Sequence, residues 1–164
     1  MNELSHIDEH GHAVMVDVTA KPTTHRRAEA RCRVAHSGEL GSRATELFAQ
    51  ARAAGLLGAK QTAALIPLCH PLPLVAMDIQ LVAVDDGVEI SAVVETYGQT
   101  GVEMEALTAC SITALALIAS IGEATPDIGI EDLLVWEKLG GRSGHWSRAG
   151  NSGPIDEEAV RTQL

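Results

Sequence analysis

Residues 74–97 read LVAMDIQLVAVDDGVEISAVVETY and contain two alternating runs separated by the tripeptide at 85–87. Apolar side chains recur at every second position, and polar ones such as Asp78 and Glu89 lie between them. A period of two is that of a half-buried β-strand, and Asp-Asp-Gly is typical of a tight hairpin turn. The stretch therefore predicts an antiparallel hairpin with one buried face.

The segments around this hairpin complete an order of strand, helix, hairpin, long helix and strand. The sequence predicts strands over 26–34 and 128–136, and helices over 43–57, 59–65 and 102–121. A doubly wound parallel sheet is disfavoured because adjacent strands meet through a tight turn. We therefore predict an α+β fold, with a ferredoxin-like antiparallel sheet and helices packed on one face.

Composition limits the class of protein. The 164 residues suffice for one domain, and 46% of them are hydrophobic, so a sizeable core can form. Aromatic residues make up 2% of the chain and its net charge is −10, which disfavours binding to nucleic acid or to an anionic membrane. We expect a single domain over 1–146, a disordered polar tail over 147–164, and a soluble protein without nucleic-acid or membrane partners.

The cysteines and the histidine-rich start indicate no metal site. Cys32, Cys69 and Cys110 are widely spaced and form no CxxC pair, so neither a disulfide framework nor structural zinc is indicated, and a cytoplasmic setting is favoured. Residues 6–12 contain three histidines without paired acidic or cysteine ligands. We interpret that segment as a solvated end of the chain.

A second stretch, residues 65–74 (LIPLCHPLPL), holds Cys69 and His70 between three prolines. Proline fixes φ and biases the preceding residue toward extended geometry, so the segment cannot continue a helix and is rigid. Histidine suits proton transfer near neutrality, although a histidine in such a setting is more often structural. We interpret Cys69 as a small buried hydrophobe rather than a nucleophile. The stretch by itself leaves both interpretations of His70 open.

The long helix follows a glycine-bracketed turn at 98–101. Thr100 is its predicted N-cap, with Glu103 as the capping-box partner, and Glu105 in the first turn favours the helix dipole. These positions explain both acids without any function. After the last predicted strand, residues 140–144 form a glycine-rich, donor-rich loop of the kind that can surround an oxyanion.

Four segments together resemble the cyclic pyranopterin monophosphate synthase family of molybdenum cofactor biosynthesis: 12–18, 65–74, 101–109 and 140–144. The likeness extends over nearly the whole chain. It implies a ferredoxin-like subunit in a hexamer built as a trimer of dimers, with active sites at the dimer interface. It also implies conversion of 3′,8-cyclo-7,8-dihydroguanosine triphosphate to cyclic pyranopterin monophosphate and pyrophosphate, without a cofactor.

The resemblance assigns roles to individual residues. His70 matches the family's histidine as acid or base, and Glu103 and Glu105 match two acids that orient it or bind the purine-derived ring. Contacts to the substrate and its phosphates are implied for four further residues: Lys60, Cys69, Lys138 and Arg142. We therefore expect a nucleotide or pterin-like small molecule as the ligand and no bound metal.

Four positions depart from the family pattern. The resemblance implies an aspartate and, three residues later, a lysine on one face of the long helix, where this chain has Ala119 and Gly122. Glu123 is the nearest acid to them. Lysines expected elsewhere are replaced by Ala44 and Gln99, and the loss of three cations predicts weaker triphosphate binding.

Three hypotheses follow from this combination of retained and lost residues. The first is a synthase-type enzyme with substituted catalytic positions. The second is a divergent paralogue that catalyses a different reaction in specialised metabolism. The third is a non-catalytic scaffold or regulatory protein that binds a nucleotide or a partner subunit, since a fold does not fix a function.

Overall fold

The computed structural model describes residues 6–38, 40–122, 127–142 and 144–148. Within these ranges the chain forms a single antiparallel sheet with the order β2-β3-β1-β4-β5. The strands are β1 (Thr24–Ala35), β2 (Leu74–Val84), β3 (Gly87–Gly98), β4 (Gly129–Leu139) and β5 (Trp146–Ser147). The helices are α1 (Ala44–Lys60), α2 (Thr62–Leu65) and α3 (Glu103–Ile121), and a 3₁₀ turn, Gly41–Arg43, precedes α1. This arrangement confirms the predicted α+β ferredoxin-like fold.

The hairpin of β2 and β3 forms over the residues that predicted it. Its register runs from Leu74 opposite Thr96 to Val84 opposite Gly87. Gly87 has a φ of 150° and lies against the backbone oxygen of Val34. A side chain at this position would collide with β1, so the turn and the pairing of β1 with β3 both depend on glycine.

An aliphatic core separates the sheet from the helices. Alternate residues of the two central strands face the helices and are at most 5% exposed: Ala28, Ala30, Cys32, Val34, Val88, Ile90, Ala92 and Val94. These residues are small or β-branched, so packing density comes from close approach of the elements rather than from large rings. The predicted alternation of β1 is confirmed.

Helix α3 is the core helix of the domain. It is long and apolar enough to cross a membrane, by length and composition alone. Several of its residues are instead fully buried by the sheet and α1: Ala106, Ala109, Cys110, Thr113, Ala114 and Leu117. The apolar composition of α3 is therefore explained by packing inside this domain.

The prediction of a capping box at the start of α3 is wrong. The N-cap is Val102, and no side chain caps the helix, so Thr100 and Glu103 do not form a capping box. At the other end Gly122 is the C-cap with a φ of 83°. A left-handed residue ends a helix, so α3 terminates at this glycine.

Pairing of the sheet continues past residue 146. Ser147 lies opposite Glu137 in β5, and the backbone N–H of Arg148 donates to the oxygen of Trp136 at 2.9 Å. The first two residues of the predicted tail are thus attached to the sheet. Residues 149–164, like Glu123, lie outside the described ranges.

Substitution of Gly55 tests how closely the helices pack. A Cβ at this position would lie 2.8 Å from Cδ1 of Ile79 and 3.0 Å from the backbone oxygen of Ala109. We expect Gly55→Ala to lower the free energy of unfolding by about 1–3 kcal/mol through overpacking, as measured by urea denaturation. Gly129→Ala is the control, because its Cβ meets no atom within 4 Å. Stabilisation of Gly55→Ala, as helix propensity alone would give, would contradict this packing.

Candidate active site

A pocket of about 300 Å³ lies where the proline-bounded segment meets the start of α3. The segment contributes Cys69 and His70, and the helix start contributes Glu103 and Glu105. The antiparallel hairpin brings them together, because the residues that precede β2 and those that follow β3 lie at the same end of the sheet. The structure therefore places four of the predicted site residues in one cavity.

The chain is fixed on both sides of His70. The backbone N–H of Cys69 donates to the oxygen of Ile66 at 3.0 Å, and the hydroxyl of Thr96 donates to the oxygen of Pro73 at 2.6 Å. His70 itself is half-buried, and its ring nitrogens have no hydrogen-bond partner among the described residues. A rigid segment thus presents an imidazole whose two nitrogens are available for a ligand.

The two acids of the pocket lie in different environments. Glu105 is 4% exposed, and burial, followed by the nearby charge of Glu103, raises the pKa of its carboxyl group. Glu103 is half-buried, and its Oε1 lies 3.7 Å from Nζ of Lys138 on β4. Burial disfavours the charged form of a carboxyl group, so the environment of Glu105 favours its neutral form more than ordinary solvent does.

The thiol of Cys69 does not have the character of a nucleophile. Burial, followed by the negative charge of Glu105, raises its pKa. The thiolate is the reactive form of cysteine, so a raised pKa keeps Cys69 protonated and inert near neutrality. Its place beside His70 is compatible with packing against a ligand.

The structure distributes the predicted cations unequally. Lys138 reaches Glu103 at the pocket, whereas Lys60 is the exposed last residue of α1 and Arg142 is exposed in the loop after β4. Neither Lys60 nor Arg142 lines the cavity. The sequence interpretation missed Lys21, which is half-buried and lines the pocket. Its local pattern indicated no more than a turn before a proline, so no local signal could have identified it.

Two backbone N–H groups of the loop at 140–144 form hydrogen bonds within the loop itself. The N–H of Gly140 donates to the oxygen of Gly144 at 3.1 Å, and the N–H of Gly144 donates to that of Gly141 at 3.3 Å. Ser143 lies outside the described residues. Across the described ranges, no three histidine, cysteine or acidic side chains are grouped so that they could hold a metal ion.

The positions that depart from the family pattern lie at opposite ends of the molecule. Gln99 is beside the pocket, whereas Ala44 lines a separate cavity of about 740 Å³ near the hairpin turn. Ala119 is 14 residues beyond Glu105 along α3, which is about 21 Å at the helix rise. A site that combined His70 with positions 119 and 122 would therefore need two chains.

The pH dependence of stability tests the burial of Glu105. Its pKa is higher in the folded than in the unfolded chain, so its contribution is complete below the unfolded value, about 4.3, and is lost as the pH rises through the folded value. We expect Glu105→Gln to gain stability relative to the wild type between pH 4.5 and 8, in urea denaturation at each pH.

The same substitution at exposed Glu46 on α1 controls for the loss of one negative charge. A difference between wild type and Glu105→Gln that does not change with pH would contradict the raised pKa.

Comparison with known proteins identifies the family. A family model described as the MoaC family matches residues 15–141, which include every pocket residue named above. The cyclic pyranopterin monophosphate synthase of Thermomicrobium roseum is 47% identical over 157 residues, covering 90% of this chain and 95% of the relative. The synthase of Streptomyces avermitilis is 46% identical, with coverages of 90% and 91%. Cyclic pyranopterin monophosphate synthase 2 of Mycobacterium tuberculosis is 44% identical, with coverages of 89% and 92%. The resemblance is confirmed, and the chain belongs to the MoaC family.

Proposed function

We propose that this protein is a synthase-type cyclase of molybdenum cofactor biosynthesis, with 3′,8-cyclo-7,8-dihydroguanosine triphosphate as substrate and cyclic pyranopterin monophosphate and pyrophosphate as products. The observation that supports it most is the convergence of His70, Glu103 and Glu105 in one pocket. Relatives more than 40% identical along the chain bear the name of that activity. In this proposal the protein is cytoplasmic, uses no cofactor, and binds neither nucleic acid nor membrane.

The pocket residues divide the chemistry between them. Ring opening and pterin closure require protons to move, and the departing pyrophosphate requires positive charge. His70, with free ring nitrogens, acts as acid or base. Glu105, whose pKa burial raises, is suited to exchange a proton with the substrate, and Glu103, anchored by Lys138, accepts hydrogen bonds from the purine-derived ring. Cys69 packs against the same ligand.

The remaining assigned residues require a neighbouring subunit. In the proposed trimer of dimers, Lys60 and Arg142 reach phosphate groups across the interface, since they are exposed and do not line the pocket of their own chain. Positions 119 and 122 would likewise meet the pocket of another chain, because about 21 Å of α3 separates Ala119 from Glu105. The chain then carries one intact half of a composite site and one substituted half.

The substituted half supports a second candidate function. Alanine and glycine supply neither a carboxylate nor an ammonium group, so an assembly of this chain alone lacks one acid-base pair. The chain would then be a non-catalytic or regulatory subunit, or a divergent paralogue that converts a less anionic substrate. The absence of ionisable side chains at Ala119 and Gly122 favours this candidate.

An assay with the family substrate decides between these functions. We expect the purified protein to release pyrophosphate and form the cyclic phosphate about 10²–10⁴-fold more slowly than the Thermomicrobium roseum relative, because one acid-base pair is missing. His70→Ala should abolish this turnover. His10→Ala is the control, since His10 is exposed and outside the pocket. Absence of product while the relative is active would reject the enzyme and leave the second candidate.

A mixed assembly tests the two-half arrangement separately. A family member whose histidine in the proline-bounded motif is replaced by alanine retains the other half of its site. Co-expressed with this chain, it should regain turnover above that of either chain alone, measured on the purified mixed oligomer. The gain should disappear when this chain carries His70→Ala. Formation of the mixed oligomer without any gain would contradict complementary half-sites.

A further inference from the structure

Lys21 is a cation that forms no ion pair with the residues that the structure describes. It is half-buried at the pocket that contains His70, and among the described residues no carboxylate lies within 4.0 Å of its Nζ. Burying part of a lysine side chain costs conformational entropy and solvation, and within the described ranges no ion-pair partner offsets that cost. An ammonium group in this situation is suited to an anionic group of a ligand.

The backbone that carries Lys21 is a tight turn. The carboxylate of Asp17 accepts hydrogen bonds from the N–H and the hydroxyl of Thr19, at 2.9 and 2.7 Å. These bonds hold the pKa of Asp17 below its ordinary value. The N–H of Lys21 donates to the oxygen of Val18 at 2.9 Å. These hydrogen bonds all lie within the turn, so they do not connect it to the sheet.

Gln99 forms two hydrogen bonds between this turn and the end of β3. Its side-chain nitrogen donates to the backbone oxygens of Thr19, at 3.3 Å, and Lys21, at 3.0 Å. The guanidinium of Arg26 in turn donates to the backbone oxygens of Gly98 and Gln99, both at 3.3 Å. A continuous set of bonds therefore connects β1, the end of β3 and the turn at Lys21.

We propose that Gln99 is a positioning residue that fixes Lys21 at the pocket, where the Lys21 ammonium binds a phosphate group of the ligand. The inference rests on the proposed function in one respect, the anionic substrate. Gln99 does not line the cavity, so its effect on the ligand passes through Lys21. A side chain of similar length without N–H donors at position 99 removes both hydrogen bonds to the turn, so the position of Lys21 is less restrained.

Inorganic pyrophosphate is the probe, and isothermal titration calorimetry of the full-length protein is the measurement. Four proteins form a double-mutant cycle: wild type, Lys21→Met, Gln99→Met and the double variant. We expect each single variant to bind pyrophosphate about tenfold more weakly than wild type, the loss of one charge-assisted contact. The double variant should bind no more weakly than Lys21→Met.

Gln99→Lys is the matched rescue, because an ammonium group also donates to two carbonyl oxygens. Gln99→Lys should bind pyrophosphate at least as tightly as wild type. Four results would each overturn the inference. The first is that Gln99→Met weakens binding equally with and without Lys21, and the second is that it leaves affinity unchanged. The others are binding by Gln99→Lys that is weaker than wild type, and no binding of pyrophosphate to wild type. A purely structural role for Gln99 predicts the first of these results.

Turnover of the family substrate, measured on the same preparations, separates this inference from the proposed function. Product formation without pyrophosphate binding would reject the role of Lys21 and leave the cyclase. The expected binding pattern without product would reject the cyclase and leave the phosphate site.

Discussion

The pairing of Leu74 with Thr96 determines where the site forms. This pair lies at the end of the hairpin opposite its turn. The segment before β2 and the segment after β3 are therefore neighbours. The hydroxyl of Thr96 also binds Pro73, which joins the two segments directly. His70 and the start of α3 are neighbours because of this register, and a slip of one residue would send the alternating side chains to the wrong face. The fold and the pocket thus depend on one constraint.

Burial gives the pocket its chemical asymmetry. Carboxyl groups that share a cavity cannot both ionise cheaply in low dielectric, and the pair at the start of α3 divides accordingly. Lys138 compensates Glu103, whereas Glu105 is almost completely enclosed and has a raised pKa. The helix start carries no side-chain cap, so its backbone dipole adds positive potential on the same side of the cavity. A carboxyl group of raised pKa, an ion-paired carboxylate and a histidine therefore meet at a pocket of about 300 Å³.

Features with a local cause were predictable from the sequence, and features that depend on distant contacts were not. Alternation identified the hairpin and β1, and the prolines identified the rigid segment around His70. The prediction of a capping box was wrong because Thr100 and Glu103 have the right spacing, but helical geometry begins after Val102. Lys21 was missed because its attachment to Gln99 spans 78 residues. Such a contact leaves no periodicity, and the inward or outward orientation of Lys60 and Arg142 is equally invisible in the sequence.

Stability favours the glycine that ends α3. Gly122 has a φ of 83°, a conformation that costs an ordinary L-residue about 1–2 kcal/mol. A lysine there would regain about 0.3–1 kcal/mol by placing a positive charge at the C-terminal end of the helix dipole. The strain of a positive φ thus exceeds the gain from the dipole, so lysine at position 122 is slightly destabilising. An aspartate at exposed position 119 would place a negative charge near the C-terminal end of α3, where the helix dipole disfavours it. Both residues expected from the family pattern would therefore lower the stability of this helix end.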